Sequence, residues 1–313
     1  MKILVTGGAG FIGSHIVDKL ISAGHRVCVI DNLSGGKREN INKKARFYKA
    51  GIQDSSVKKI IVGIKPDYIY HCAAQIDVRK SVANPLWDAK VNILGFLHVL
   101  QAAQECGVKK IIFSSTGGAI YGDTNDIPTP ETHAQNPQSP YGIGKLVCEK
   151  YLYYFYAIHK LPSIILRYAN VYGPRQNAQG EAGVVAIFCR TVLQKKPLVI
   201  NGDGKQTRDY VYIDDVVRAN LMALRAKKFD TYNVGTGKET IVNDLVSYLK
   251  NCTSSDISFS HGRAKSGEQN RSCLDYRKIK KNFGWIPNTD IKTGIAKTFA
   301  WFKEKSQSKN GLK

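Results

Sequence analysis

Short apolar blocks recur along this chain, and each is followed by a stretch whose apolar residues return at helical spacing. Ile3–Val5, Val27–Ile30, Arg46–Ala50, Tyr68–His71, Lys110–Ser114 and Ser163–Arg167 read as strands, the stretches between them as helices. A β-α rhythm of this kind predicts an α/β fold, a doubly wound parallel sheet of the Rossmann type, with ligands gathered beyond the carboxyl ends of the strands. The loops that carry Gly7, Ala73 and Ser115 are therefore expected to converge. After Arg167 the segments become shorter and richer in Gly, Pro and charge, which predicts a smaller mixed α/β lobe. Thr231–Val234 reads as a further buried strand and Asn243–Leu249 as a helix, so the chain is expected to cross between lobes more than once. The division that results is 1–167 for a nucleotide-binding domain, with a segment near 205–240 returning to it, and 168–313 mainly for the smaller lobe. No internal repeat stands out, and the Lys-rich tail from Lys303 to Lys313 is expected to fray.

The first apolar block breaks into Thr6-Gly7-Gly8-Ala9-Gly10-Phe11-Ile12-Gly13 before a helical pattern begins. Gly7 permits a sharp turn, Gly10 permits close approach of a pyrophosphate to the backbone, and Gly13 lets helix pack on strand. The helix N-terminus, with Phe11 and Ile12 in its first turn, offers free N–H groups to the phosphates. The next block ends in Asp31 at the distance expected of a carboxylate that receives a ribose 2′-OH, and a carboxylate there repels a 2′-phosphate. A dinucleotide is indicated, NAD rather than NADP. Asp31 could instead cap the loop from Asn32 to Gly36, and the basic pair Lys37 and Arg38 argues the other way about the phosphate.

Composition narrows the class. The chain has 313 residues, 43% of them hydrophobic, enough for a substantial core. Seven scattered cysteines without a C-x-x-C pair suggest neither a disulfide framework nor a zinc site, and a reducing cytoplasm is expected. The N-terminal apolar run is too short for a signal peptide, and no apolar stretch is long enough to insert in a membrane. The formal charge of +21 is spread over small clusters such as Lys43-Lys44, Lys109-Lys110 and Lys280-Lys281. Solvated surface is the expected role for these, and nucleic acid is not an expected partner.

Ser139-Pro140 marks a helix start, and Tyr141 and Lys145 follow four residues apart on one face of that helix. Such a pair can act as an acid/base unit. A free phenol has a pKa of about 10, so lowering it by about three units needs about 4 kcal/mol, which a nearby ammonium and a cationic ring could supply. Tyr156/Lys160 and Tyr276/Lys280 share the spacing, so company decides. The apolar strand Ile111–Phe113 ends in Ser114-Ser115-Thr116-Gly117-Gly118, which places hydroxyls at a strand's carboxyl end, unless this is merely a Ser/Thr turn.

Taken together, the chain resembles the extended short-chain dehydrogenase/reductases, and within them the UDP-glucose (galactose) 4-epimerase family. The resemblance rests on the glycine motif, Asp31-Asn32-Leu33, His71-Cys72-Ala73-Ala74-Gln75, Ser115-Thr116 with Tyr121-Gly122, Ser139-Pro140-Tyr141 with Lys145, and Arg167 through Pro174. It continues through Gly202-Asp203-Gly204, Arg208-Asp209-Tyr210-Val211, Asn233-Val234-Gly235 and Gly267-Glu268 to Trp285. It implies an isomerase with tightly held NAD that interconverts UDP-glucose and UDP-galactose through a transient 4-keto sugar. Tyr141 would take the proton of the sugar 4-OH, Lys145 would hold the nicotinamide ribose and depress the phenol pKa, and Thr116 or Ser115 would hydrogen-bond the 4-oxygen. Asn32, Ile52, Ala73, Ala74, Asn92, Ser114 and Tyr168 complete the implied cofactor contacts. Asn170, Arg208, Lys265 and Ser272 are the implied UDP-sugar contacts.

The departures from the family pattern carry information. An acidic residue often precedes the isoleucine that lies by the adenine, whereas this chain has Gly51-Ile52, with Asp54 nearby. Ser272 stands where a bulkier residue narrows the sugar pocket in some relatives, which leaves room for an N-acetyl group. Gly117 stands where dehydratases and decarboxylases usually carry an acid, which favours simple epimerisation. Another nucleotide-sugar enzyme, acting on a UDP-N-acetylhexosamine or a UDP-uronate as epimerase or decarboxylase, is the alternative. A non-catalytic nucleotide- or RNA-binding protein is a remoter one. The resemblance also implies a homodimer, formed through Pro85–Gly107 and Lys145–His159, with no metal.

Overall fold

In the computed structural model, which describes residues 1–178, 183–253, 256–264 and 269–310, the apolar blocks form one seven-stranded sheet. Its strands are β1 (Lys2–Thr6), β2 (Arg26–Asp31), β3 (Arg46–Lys49), β4 (Tyr68–His71), β5 (Lys110–Thr116), β6 (Ser163–Tyr168) and β11 (Asp230–Val234). The order is β11-β6-β5-β4-β1-β2-β3 and every pairing is parallel. Strands β1, β2, β5 and β6 are buried along almost their whole length, which explains why they read as continuous apolar runs rather than as alternating patterns. The order in which the chain adds strands reverses between β1 and β4, and the loops that follow these two strands meet there.

Helices α1 (Phe11–Ser22), α2 (Ser56–Ile64), α3 (Val78–Ala83), α4 (Pro85–Ala89), α5 (Gly95–Glu105), α6 (Gly117–Ile120) and α7 (Pro140–His159) connect the first six strands. Between α4 and α5 one π-helical stretch, Lys90–Leu94, carries the helical path on without a break. α7 starts where its sequence says: Ser139 accepts the Gly142 N–H at 3.1 Å and Pro140 fills the first turn.

Beyond Tyr168 the strands are short and pair two by two: β7 (Asn170–Tyr172) with β10 (Tyr210–Tyr212), β8 (Leu198–Asn201) with β13 (Phe259–Gly262), and β9 (Thr207–Arg208) with β12 (Thr240–Ile241). Helices α8 (Val184–Leu193), α9 (Ile213–Ala223), α10 (Val242–Lys250), α11 (Arg277–Phe283) and α12 (Ile291–Asn310) complete the chain. One apolar cluster runs from Ile3 and Val29 through Tyr172 and Phe188 to Leu245, Trp285 and Phe299, so the sheet and the later elements share a core.

Two expectations need correction. The tail is helical from 303 to 310, because Ile295, Thr298 and Phe299 are buried and anchor α12 against α8 and α10, while 311–313 lie outside the described residues. Lys110 is not solvated surface: it is 7% exposed, and its Nζ donates to the carbonyls of Leu224 at 2.6 Å and Ala223 at 3.5 Å, at the carboxyl end of α9. Among the described residues no helix is long and apolar enough to cross a membrane, and no three His, Cys, Asp or Glu side chains cluster as a metal site. All seven cysteines are free thiols.

Candidate active site

The glycine turn fits a dinucleotide on steric grounds. Gly7 has φ +71°, and a Cβ there would lie 2.6 Å from Ala73 N, so the β1 and β4 loops touch backbone to backbone. A Cβ on Gly13 would lie 2.2 Å from the Gly7 carbonyl oxygen, which leaves that side of the turn open only to glycine. Helix α1 begins at Gly10 with no side-chain cap and no acid in its first turn, so the first N–H groups and the positive end of the helix face the crevice unopposed.

Asp31 closes this cradle. Its Oδ2 accepts the Ala9 N–H at 3.0 Å and its Oδ1 accepts the Leu33 N–H at 2.7 Å. Loop capping and ribose recognition are therefore not exclusive, since each carboxylate oxygen keeps further lone-pair capacity. Burial raises the Asp31 pKa while these two N–H groups pull it back. Asn32 caps Ser34 N–H at 3.0 Å, and Ile52 is buried, with its carbonyl 3.3 Å from His98 Nδ1.

The loop after β4 is held from two sides. Thr6 Oγ1 lies 2.9 Å from His71 Nδ1, and the Ala73 N–H reaches the same hydroxyl at 3.4 Å. Burial, with Lys145 close by, keeps His71 well below the usual imidazole range, hence neutral. Asn92 grips Gln75 through both backbone groups, at 2.8 and 2.9 Å, and donates to Asp88 at 3.0 Å. Its amide is thus engaged in fixing the loop that carries Ala73 and Ala74.

Tyr141, Lys145 and Glu149 fall on successive turns of α7, facing the end of β5. Lys145 is 4% exposed, donates from Nζ to the Ser114 carbonyl at 2.9 Å and sits 4.9 Å above the Phe113 ring. Burial lowers its pKa, against the pull of Cys148, Cys72, Asp88 and Glu149. In the protein by itself the Tyr141 phenol is raised above its ordinary value, by burial first and by the buried Asp88 carboxylate second. The depression expected from Lys145 is not seen: burial and Asp88 raise the phenol, and no lowering by Lys145 accompanies them.

Alternation along β5 separates the two candidate hydroxyls. Ser115 is buried and donates to Glu149 Oε1 at 2.6 Å. Thr116 points to the other face, as the N-cap of α6, where its hydroxyl makes no capping bond. A Cβ on Gly118 would lie 4.0 Å from Thr116 Oγ1 and 3.8 Å from Asn170 Oδ1, so these two side chains border the same space. Ser114 Oγ lies 3.2 Å from the Tyr168 hydroxyl, which in turn is held by Asn220 at 2.9 and 3.1 Å.

Arg208 and Ser272 arrive on adjacent segments. The Ser272 carbonyl accepts the Asp209 N–H at 2.8 Å, and Leu274 packs so closely that a Cβ on Gly117 would come within 2.4 Å of it. Lys265 lies outside the described residues. Asp209 is the hub here: it is 1% exposed and accepts from Thr236, Gly237 and Leu274.

Sequence reasoning assigned no role to the layer beneath these groups. Glu149 and Arg167 form a bidentate pair at 3.0 and 2.6 Å, Arg167 Nη1 donates to the Tyr121 hydroxyl at 2.8 Å, and Tyr121 donates to Asn233 at 2.8 Å. The pair ties α7, β5, β6 and β11 together under the site. A signal was present: an arginine in the buried strand Ser163–Arg167 requires an internal anion, and the same face of the catalytic helix supplies Glu149.

Residues 3–235 match the family model described as the NAD dependent epimerase/dehydratase family. A putative UDP-glucose 4-epimerase of Methanocaldococcus jannaschii is 44% identical over 310 residues, covering 98% of this chain and 100% of that protein. The crystal structure of a UDP-glucose 4-epimerase from Thermotoga maritima with UDP-glucose superposes with a TM-score of 0.95 at 48% identity, covering 98% of this chain and 100% of the other. A UDP-glucose 4-epimerase from Thermus thermophilus in complex with NAD gives 0.93 at 40% identity, covering 97% and 99%.

Proposed function

The chain belongs to the NAD-dependent epimerase/dehydratase family, and from that premise we propose that it interconverts UDP-glucose and UDP-galactose at C4, with Tyr141 as acid and base. The observation that carries the assignment is the placing of half-buried Tyr141 and buried Lys145 four residues apart on α7, with Lys145 bonded to the hydroxyl-bearing end of β5, the strand of the same sheet that carries the glycine cradle of α1. Gly7, Gly10, Phe11, Ile12, Gly13 and Asp31 would hold NAD, which supplies a hydride acceptor and, when oxidised, a positive ring charge.

Tyr141, as its phenolate, then takes the proton of the sugar 4-OH on its oxygen and returns it after the 4-keto sugar has presented its other face. Thr116 is the hydroxyl that hydrogen-bonds the 4-oxygen, because Ser115 is committed to Glu149. Lys145, anchored on the Ser114 carbonyl, orients the nicotinamide ribose. Asn170 and Arg208 serve the diphosphate, and the charge of Lys265 suits a phosphate. The small Ser272 side chain leaves room for the N-acetylated pair as well.

The division at residue 167, with 205–240 returning, serves as the working description of cofactor and sugar lobes. A second copy of the chain is the proposed partner: Leu86 is 84% exposed, and Leu94, Ile143, Tyr154 and Ile158 are exposed on α4, α5's approach and α7. Tyr153 and Tyr156 instead contact Phe229 within the subunit. Sedimentation at micromolar concentration should show a dimer, and a monomer alone would remove the proposal.

The test of function is incubation with UDP-galactose and no added cofactor, followed by proton NMR. UDP-glucose should appear, and Tyr141→Phe should abolish turnover with NAD still bound. Residual activity above about a hundredth of wild type would count against the acid/base role.

A further inference from the structure

Outward from β2 the sheet continues into β3, whose Lys49 pairs with Asp31, and the Ala50 N–H reaches the Asp31 carbonyl at 3.3 Å. A dinucleotide with its pyrophosphate on α1 and its ribose at Asp31 must extend its adenine over the next loop, Gly51-Ile52-Gln53-Asp54. The acid in this loop, Asp54, is exposed, and its Oδ2 turns back to accept the Gly51 N–H at 2.6 Å. His98 is turned to the Ile52 carbonyl.

Gln53 differs from both. Its Oε1 is enclosed and has no hydrogen-bond partner, a state that buried polar atoms rarely keep. Its amide also fills the space that a side chain on residue 51 would take, since a Cβ there would lie 2.6 Å from Nε2 and 2.7 Å from Oε1. The last torsion of glutamine is soft, so the amide can turn within this space. Adenine presents an amino donor beside a ring acceptor, and a carboxamide presents the matching acceptor and donor.

We propose that Gln53 is a cofactor-binding residue whose amide pairs with the amino edge of the NAD adenine, in the room that Gly51 leaves. The proposal rests on the NAD reading of the glycine cradle. Gln53 thereby does from two residues away what a carboxylate at position 51 would do, and it does so without adding a negative charge near Asp31.

Calorimetric titration of nucleotide-free protein with NAD and with 1,N6-etheno-NAD, whose bridge blocks both partner atoms of the adenine, separates a direct contact from a packing role. Wild type should bind NAD about tenfold more tightly than the etheno compound. Gln53→Ala should weaken NAD about tenfold and leave the etheno compound within about twofold. Gln53→Met, which keeps length and loses the amide, should repeat that pattern. Equal weakening of both compounds, or unchanged NAD affinity in either variant, overturns the proposal. Failure of wild type to bind either dinucleotide overturns the cofactor reading and the proposal with it.

Discussion

Replacing Glu149 with alanine should unfold this protein far more readily than a typical single change. Both side chains of the Glu149–Arg167 pair are only 5% exposed, so water screens them little. The carboxylate accepts three hydrogen bonds, from Ser115 at 2.6 Å and from Arg167 at 3.0 and 2.6 Å. Burial opposes the Arg167 charge, and Glu149 is what holds that guanidinium above its ordinary pKa. Without Glu149 the cation keeps, among the described residues, the Tyr121 hydroxyl at 2.8 Å and that ring's face at 5.0 Å. An uncompensated buried charge costs about 3–5 kcal/mol, a fifth or more of the roughly 5–15 kcal/mol that stabilises a folded domain. Urea unfolding followed by circular dichroism, on wild type, Glu149→Ala, Arg167→Met and the double variant, measures it. The double variant should be more stable than Glu149→Ala alone, because it removes the stranded charge. A Glu149→Ala loss below about 1 kcal/mol, or single effects that simply add, would refute a desolvated pair.

Two further substitutions probe the chemistry above that pair. Asp88→Asn removes the anion that raises the Tyr141 phenol; a base whose pKa falls is deprotonated at lower pH, so the acid limb of the kcat profile should move to lower pH, and a shift the other way would contradict the assigned sign. Thr116→Val should lower kcat about a hundredfold, as loss of one donor at a developing oxyanion does, whereas Ser115→Ala should leave kcat within about threefold and cost about 1 kcal/mol of stability. The reverse ranking would make Ser115 the catalytic hydroxyl.

The sheet was legible because parallel strands buried on both faces must be apolar throughout, and β1, β2, β5 and β6 are. The start of α7 was legible from Ser139-Pro140, a capping signal that acts locally. Thr116 against Ser115 was not, because the choice depends on which face of β5 meets Glu149, a residue that is close only after folding. Asp88 left no mark either: an aspartate early in a helical pattern reads as solvated, and its burial comes from Gln75 and Asn92 closing over it. Lys110 was misread for the same reason, since the carbonyls it caps come from α9, far along the chain. The helix at 303–310 was missed because its support lies in the buried positions that precede it.

Strand β11 has a consequence for how the protein is made. It pairs with β6 from Asp230 against Ile164 to Val234 against Tyr168, and its Asn233 receives the Tyr121 hydroxyl and bonds the Thr129 carbonyl. During synthesis the fully buried β6 therefore waits, with the backbone groups of one edge unpaired, until the ribosome has released residue 234. An edge of that kind is a template for association with other chains. A fragment that ends near residue 167 should accordingly aggregate, and the protein's folding yield is set by how quickly the late-arriving strand finds its place.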